Sequence, residues 1–158
     1  MTDQISVTRS VPASPQQLFE LLSNPARHQE IDGADMLRGI DGSEILTGVG
    51  DEFVMNMHNG ALGDYQMKNT VTAFEPGRLI GWAPSLHPMD GYRDKLGEVR
   101  AEGHSYTWHL EPDGSGTRVT QVYDWSEVTD DDFRGFFPML SEQQLGDSIE
   151  KAGNAATS

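Results

Sequence analysis

Three polar residues stand among aromatic residues in the strand-forming part of the chain: His104, Asn69 and Gln121. A histidine can move protons near neutral pH, and amide side chains can orient a carbonyl or hydroxyl group of a ligand. Strand alternation predicts that all three point inward. The same predicted face carries three tyrosines, which would assist: Tyr65, Tyr106 and Tyr123. Alternatively, the three polar residues lie at the open rim of the sheet or bond one another, because a buried polar group needs a partner.

His104 is the best-placed candidate for a catalytic acid or base. His28 and His87 are predicted to flank the entrance of a cavity. The sequence contains no G-x-S-x-G elbow for a nucleophile and no H-E-x-x-H motif for a metal. His104 and His109 are expected on opposite faces of one strand, which separates them as metal ligands. Gly48-Val49-Gly50 lacks the third glycine of a dinucleotide-binding fingerprint, so we expect neither a metal nor a cofactor.

The apolar residues on the predicted inward face are rich in methionine and aromatic side chains. These residues adapt to irregular contents, whereas a solid core more often uses Leu, Ile and Val. A filled core explains the pattern equally well, because each side chain contributes roughly 1.5–3 kcal/mol when fully buried. Together with Asn69 and Gln121, the predicted ligand-binding residues are Phe53, Met55, Met57, Tyr65, Met67, Trp82, Tyr106, Trp108, Tyr123, Trp125, Phe137 and Leu140.

The N-terminal segment predicts a strand followed by two short helices. Residues 4–11 alternate apolar and polar, and Pro12 ends that strand. A capping box from Ser14 to Gln17 then opens a helix with proline in its first position. Asn24-Pro25 repeats this signal for a second helix, which Asp32-Gly33 ends.

Three hairpins are predicted between residues 52 and 125. Each register keeps one face apolar, and a slip of one residue would bury polar groups. The first hairpin pairs Phe53 with Asn69, the second pairs Ala73 with Ile80 and Val71 with Trp82 around a Pro76-Gly77 turn, and the third pairs Trp108 with Gln121.

Two segments show no clear period. The segment from Gly39 to Gly50 is interrupted by glycines, and we predict neither a helix nor a strand there. The segment from Ser85 to Gly97 holds proline and glycine among polar residues, and it predicts a long loop at the mouth of a cavity.

The last third of the chain predicts a long helix that the sheet would grip. Pro138 cannot lie inside a regular helix, so we expect the helix to start near Met139. Gly146 would weaken the helix by about 1 kcal/mol relative to alanine, which suits a close approach to the sheet or local mobility. The acidic run Asp130-Asp131-Asp132 is expected to lead a helix, where the helix dipole favours negative charge.

Composition narrows the classes of partner. The chain of 158 residues is expected to form a single domain, 1–158, and its net charge of −14 disfavours nucleic acid and anionic lipid surfaces. No apolar run approaches the roughly 20 residues of a membrane span, so membrane insertion is not expected. The absence of cysteine fits a reducing cytoplasm. No sequence feature addresses the oligomeric state.

Several motifs resemble the START-like, helix-grip superfamily, also called SRPBCC, in its polyketide cyclase/dehydrase-like branch. They are Ser6–Pro15, Leu18–Leu22, Phe74–Leu79 and Asp113–Thr120, within an order of elements that is similar over nearly the whole chain. The resemblance implies an α+β fold, with a curved antiparallel sheet and two short helices wrapped round a long C-terminal helix. It also implies a hollow protein that binds an apolar small molecule.

Three functions are compatible with that fold. The first is binding of a lipid, polyketide or other aromatic metabolite. The second is a cyclase or dehydrase reaction in the same pocket, with His104 and the tyrosines moving protons. The third is a protein-interaction module resembling chaperone regulators, which would need an exposed apolar patch, whereas the predicted outer faces of the strands are polar.

Overall fold

The computed structural model describes residues 3–31, 37–41, 45–59, 63–87, 103–135, 137–138 and 140–157. In these ranges seven strands form one antiparallel sheet, in the order β1-β7-β6-β5-β4-β3-β2. The strands are β1 (Gln4–Val11), β2 (Leu37–Asp41), β3 (Glu52–Asn59), β4 (Gly63–Glu75), β5 (Leu79–His87), β6 (Ser105–Asp113) and β7 (Gly116–Asp124). The helices are α1 (Pro15–Leu22), a 3₁₀ helix (Pro25–Ile31), α2 (Asp131–Arg134) and α3 (Glu142–Ala156). Within the same ranges, no helix is both long and apolar enough to cross a membrane.

The predicted strand and two short helices at the N-terminus are confirmed. The Gln17 N–H donates to Ser14 Oγ (3.1 Å) and the Ser14 N–H donates to Gln17 Oε1 (2.9 Å), which completes the capping box of α1. Asn24 Oδ1 accepts from the Ala26 N–H (3.2 Å) at the start of the second helix, which is a 3₁₀ helix. Local capping signals therefore define both helix starts.

The registers of the first and third hairpins are confirmed, since Phe53 pairs with Asn69 and Trp108 with Gln121. The register of the second hairpin is wrong next to its turn, where Ala73 pairs with Gly81. The turn contains three residues, with Gly77 at φ 75°, and a bulge between Val71 and Ala73 compensates for the extra residue. Past the bulge, Val71 pairs with Trp82 as predicted.

Two stretches of strand were not predicted. Strand β2 lies in and before the glycine-punctuated segment and pairs with β3, with Ile40 opposite Met55. Strand β5 continues through Ser85 to His87 and pairs with β4, so the predicted loop does not begin at Ser85. Within the described residues, β5 pairs with β6 from Leu79 to Trp82. The rest of the predicted loop lies outside the described residues.

The C-terminal helix starts later than predicted. Its first residue is Glu142, and Ser141 caps it in a second capping box with Gln144. This serine–glutamine pair is the sequence signal that the proline argument overlooked. The acidic run does lead a helix, because Asp130 Oδ1 accepts from the Phe133 N–H (3.0 Å) at the start of α2.

Helix α3 packs on β1, α1 and the 3₁₀ helix. Two glycines on one face of α3 allow the close approach to β1. A Cβ atom on Gly146 would lie 3.0 Å from Arg9 Nη2, and one on Gly153 would lie 2.8 Å from Val11 Cβ. Of the two explanations offered for Gly146, the geometry corresponds to a close approach, although the neighbour is the end of the Arg9 side chain.

Candidate ligand-binding site

The predicted aromatic, methionine and leucine residues all lie in or against one hydrophobic core, most of them on the inward face of the sheet. The buried members are Phe53, Tyr65, Trp82, Trp108, Tyr123 and Trp125. The partly buried members, which pack against this core, are Met55, Met57, Met67, Tyr106, Phe137 and Leu140. The predicted alternation is therefore correct, and it sets the wall of the candidate site.

One aromatic group, the His28 cluster, consists of His28, Phe53 and Trp82. The imidazole ring stacks on Trp82 (centroids 4.9 Å apart, planes at 25°) and meets the Phe53 ring edge-on at 5.1 Å. His28 Nε2 lies 2.7 Å from the Leu22 carbonyl oxygen. Burial lowers the pKa of His28 to about 4, so the ring is neutral at pH 7.

His28 was predicted at the entrance of the cavity, but its side chain is only 1% exposed. The 3₁₀ helix explains this position. Pro25, His28 and Ile31 are all buried, and a helix with three residues per turn places residues at this spacing on one face. The three-residue spacing was the signal that could have located His28 in the core.

A second aromatic group, the His104 cluster, consists of His104, Tyr106, Phe133 and Phe137. The imidazole centroid lies 5.2 Å from that of Phe137, 5.6 Å from that of Phe133 and 6.0 Å from that of Tyr106. Burial lowers the pKa of His104 to about 4. Phe133 was not among the predicted site residues, and it reaches this cluster from the short helix that Asp130 caps.

Five buried polar atoms have no hydrogen-bond partner among the described residues. These atoms are His28 Nδ1, Asn69 Oδ1, His104 Nδ1, Trp108 Nε1 and Gln121 Oε1. Asn69, His104 and Gln121 are 0%, 2% and 5% exposed, so the alternative that they lie at an open rim is wrong. An unpaired buried polar group costs about 1–3 kcal/mol, so each of these atoms favours a partner from outside the described residues, such as a water molecule or a ligand.

The two clusters lie on adjoining parts of one surface. Trp82 of the His28 cluster is paired with Tyr106 of the His104 cluster across strands β5 and β6. Trp108 and Gln121, which carry two of the unpaired atoms, face each other across β6 and β7. An aromatic surface with a few separated polar atoms is the usual chemistry of a site for small organic molecules.

A curved antiparallel sheet with a long C-terminal helix, enclosing such an interior, is the helix-grip fold. Residues 2–153 match the family described as polyketide cyclase / dehydrase and lipid transport, and the chain belongs to that family. The predicted membership in the SRPBCC superfamily is confirmed.

The individual curated relatives have low sequence identity to this chain. The chain is 29% identical over 123 residues to the uncharacterized protein Rv0088 of Mycobacterium tuberculosis, covering 77% of this chain and 47% of that protein. It therefore spans about half the length of this curated relative.

The solved structures that share the fold include the following two. Protein Ms6760 from Mycobacterium smegmatis superposes with a TM-score of 0.70 at 12% identity, covering 99% of this chain and 92% of that one. DynU16, from the dynemicin biosynthetic locus, superposes with a TM-score of 0.62 at 16% identity, covering 100% of this chain and 48% of that one.

Proposed function

We propose that this protein binds a hydrophobic small molecule, such as a lipid, polyketide or other aromatic metabolite, between the inward face of the sheet and the C-terminal helix. The observation that carries the proposal is the set of five unpaired polar atoms in an aromatic interior. The family description, which joins polyketide cyclisation with lipid transport, supports the same class of ligand.

Energetics favour an occupant over a permanently filled core. A filled core would gain stability by replacing the unpaired atoms with apolar groups of the same shape. A ligand that is mostly apolar and has a few oxygen atoms would pair with these atoms and bury its remaining surface against Trp82, Trp108 and Tyr123. The unpaired atoms thus lower the stability of the free protein and add affinity for the ligand.

A second candidate function is catalysis of a cyclase or dehydrase reaction in the same pocket. The observation that favours it is His104, whose Nδ1 has no partner in the described part of the chain and whose ring is neutral at pH 7. A neutral imidazole is the form that a general base needs, although a pKa of about 4 makes it a weak base. The substrate would lie against Tyr106, Phe133 and Phe137, which surround that ring.

The test of binding is native mass spectrometry of the purified protein, followed by denaturing extraction of the bound compound. A discrete added mass, identified as an apolar organic molecule, supports the proposal. If the protein is detected without added mass, it is next titrated with fatty acids and with aromatic polyketides in a thermal-shift assay. Failure of every compound in both classes to raise the melting temperature would overturn the proposal.

The compound that was extracted, or that raised the melting temperature, is then used to distinguish binding from catalysis. Under catalysis, His104→Phe abolishes turnover and leaves affinity within a few fold, because the phenyl ring preserves the aromatic contacts. His109→Phe, at an exposed position of β6, the strand that follows His104, is the matched control. Absence of turnover in the wild-type protein would leave binding as the function.

A further inference from the structure

A contact with the backbone determines which ring nitrogen of His28 is a hydrogen-bond acceptor. The Leu22 carbonyl oxygen can only accept, so His28 Nε2, at 2.7 Å, must carry the proton of the neutral ring. Nδ1 of the same ring is therefore an acceptor. It has no partner among the described residues, and the side chain is 1% exposed.

Asn69 supplies a second acceptor. Its Nδ2 donates to the Met67 carbonyl oxygen (3.2 Å), which assigns the orientation of the amide and leaves Oδ1 as the acceptor. Oδ1 has no partner in the described ranges, and Asn69 is fully buried. Its cross-strand neighbours are Phe53 and Pro84, neither of which has a side-chain donor.

The two residues that supply these acceptors both neighbour Phe53. The ring of Phe53 contacts His28 edge-on, and Phe53 lies directly opposite Asn69 in the β3–β4 pairing. Trp82 stacks on His28, and its centroid is 5.7 Å from that of Phe53. This part of the site therefore presents two acceptors and receives no side-chain donor from Phe53 or Pro84. Besides the already bonded His28 Nε2, the cluster has one side-chain donor, the indole N–H of Trp82.

We propose that His28 and Asn69 form a subsite for the hydroxyl or N–H groups of an aromatic ligand, as in a phenol or a hydroxylated polyketide. The inference rests on the proposed function and names the class of ligand more narrowly. Each donor group of a ligand would satisfy one of the two buried lone pairs, whereas a carboxylate or ketone oxygen would face them with its own lone pairs. The carboxylate of a fatty acid therefore does not enter this subsite, and the neutral His28 ring offers no positive charge to hold it.

The test compares three probes of the same ring system by isothermal titration calorimetry at about pH 7: 2-naphthol, 2-methoxynaphthalene and 2-naphthoate. In the second probe a methyl group replaces the hydroxyl proton of the first, which removes the hydrogen-bond donor. We expect 2-naphthol to bind about tenfold more tightly than the ether, the effect of one net hydrogen bond of roughly 1.4 kcal/mol. The naphthoate is expected to bind more weakly than 2-naphthol.

Substitutions test whether the preference for 2-naphthol over the ether arises at this subsite. His28→Phe keeps an aromatic ring and removes the acceptor, and Asn69→Leu replaces the amide with a side chain of the same shape. Because the single hydroxyl of 2-naphthol donates one full hydrogen bond, at least one of the two variants is expected to reduce the preference for 2-naphthol over the ether by about threefold or more while leaving affinity for the ether nearly unchanged. His109→Phe is the matched control, because it replaces an exposed imidazole outside the site with a phenyl ring, and it should keep the wild-type preference.

The outcomes distinguish the subsite from the general function. Equal binding of naphthol and ether by the wild-type protein would overturn the subsite and leave the hydrophobic site standing. An unchanged preference in both His28→Phe and Asn69→Leu would do the same. Binding of none of the three probes would count against the hydrophobic site and the subsite together.

Discussion

Acidification between pH 7 and 5 is expected to destabilise this protein through two buried histidines. Burial lowers the pKa of both His28 and His104 from 6.5 to about 4. The unfolded chain therefore takes up protons on these rings below about pH 6.5, whereas the folded protein does not until about pH 4. The stability that the neutral rings provide is complete above about pH 6.5, falls as the pH drops, and stops falling below about pH 4.

The size of the effect follows from the pKa difference. Each pKa unit corresponds to about 1.36 kcal/mol, so each histidine accounts for about 3 kcal/mol over the whole window. Between pH 7 and 5 the expected loss is about 2 kcal/mol for each ring, or about 4 kcal/mol for both. A domain with a stability of roughly 5–15 kcal/mol would lose a large part of it before most carboxylates titrate.

The assay is urea denaturation at several pH values from 7 to 5. His28→Phe is expected to halve the loss of unfolding free energy across this range, and the double variant with His104→Phe to remove most of it. His109→Gln, on the exposed face of β6, is the control substitution and should keep the wild-type slope. A double variant with the wild-type pH dependence would refute the assignment to these two rings.

Three further substitutions test how the C-terminal helix is held. Gly153→Ala is expected to destabilise the fold by about 1–3 kcal/mol in urea denaturation, because its Cβ would lie 2.8 Å from Cβ of the buried Val11. Gly146→Ala should instead stabilise by up to about 1 kcal/mol, because its Cβ meets the movable end of the exposed Arg9 side chain and alanine favours the helix. The same sign for the two glycine variants would contradict this reasoning. Ser141→Ala removes the cap of α3 and should cost about 1 kcal/mol, measured by the same titration; no change would show that the cap adds nothing to the packing of the helix.

Local signals made much of this fold predictable. The capping box at Ser14 needs only neighbouring residues, so α1 starts where the sequence predicts. Two hairpin registers were also predictable, because strand alternation and the need for one apolar face leave a single pairing. These determinants act over a few residues and do not depend on the rest of the chain.

Errors occurred where a partner in the sheet decides the local structure. Strand β2 is short, contains Gly39 and pairs with β3 from Leu37 to Asp41, which periodicity alone does not predict. The bulge between Val71 and Ala73 compensates for a three-residue turn, and the sequence shows neither the bulge nor its register. In both places long-range pairing outweighs the local preference of the chain.

Some features of the candidate site were likewise predictable from the sequence, and others were not. Alternation alone predicted that Asn69, Gln121 and the aromatic residues face inward. Only the tertiary structure buries His28 between Phe53 and Trp82, which lie far from it in sequence, and assigns its proton to the nitrogen beside the Leu22 carbonyl. The sequence by itself determined which side chains face the interior, because the direction of a side chain follows the backbone period. Whether a buried polar atom finds a partner depends on distances between separate elements, so only the tertiary structure could decide it.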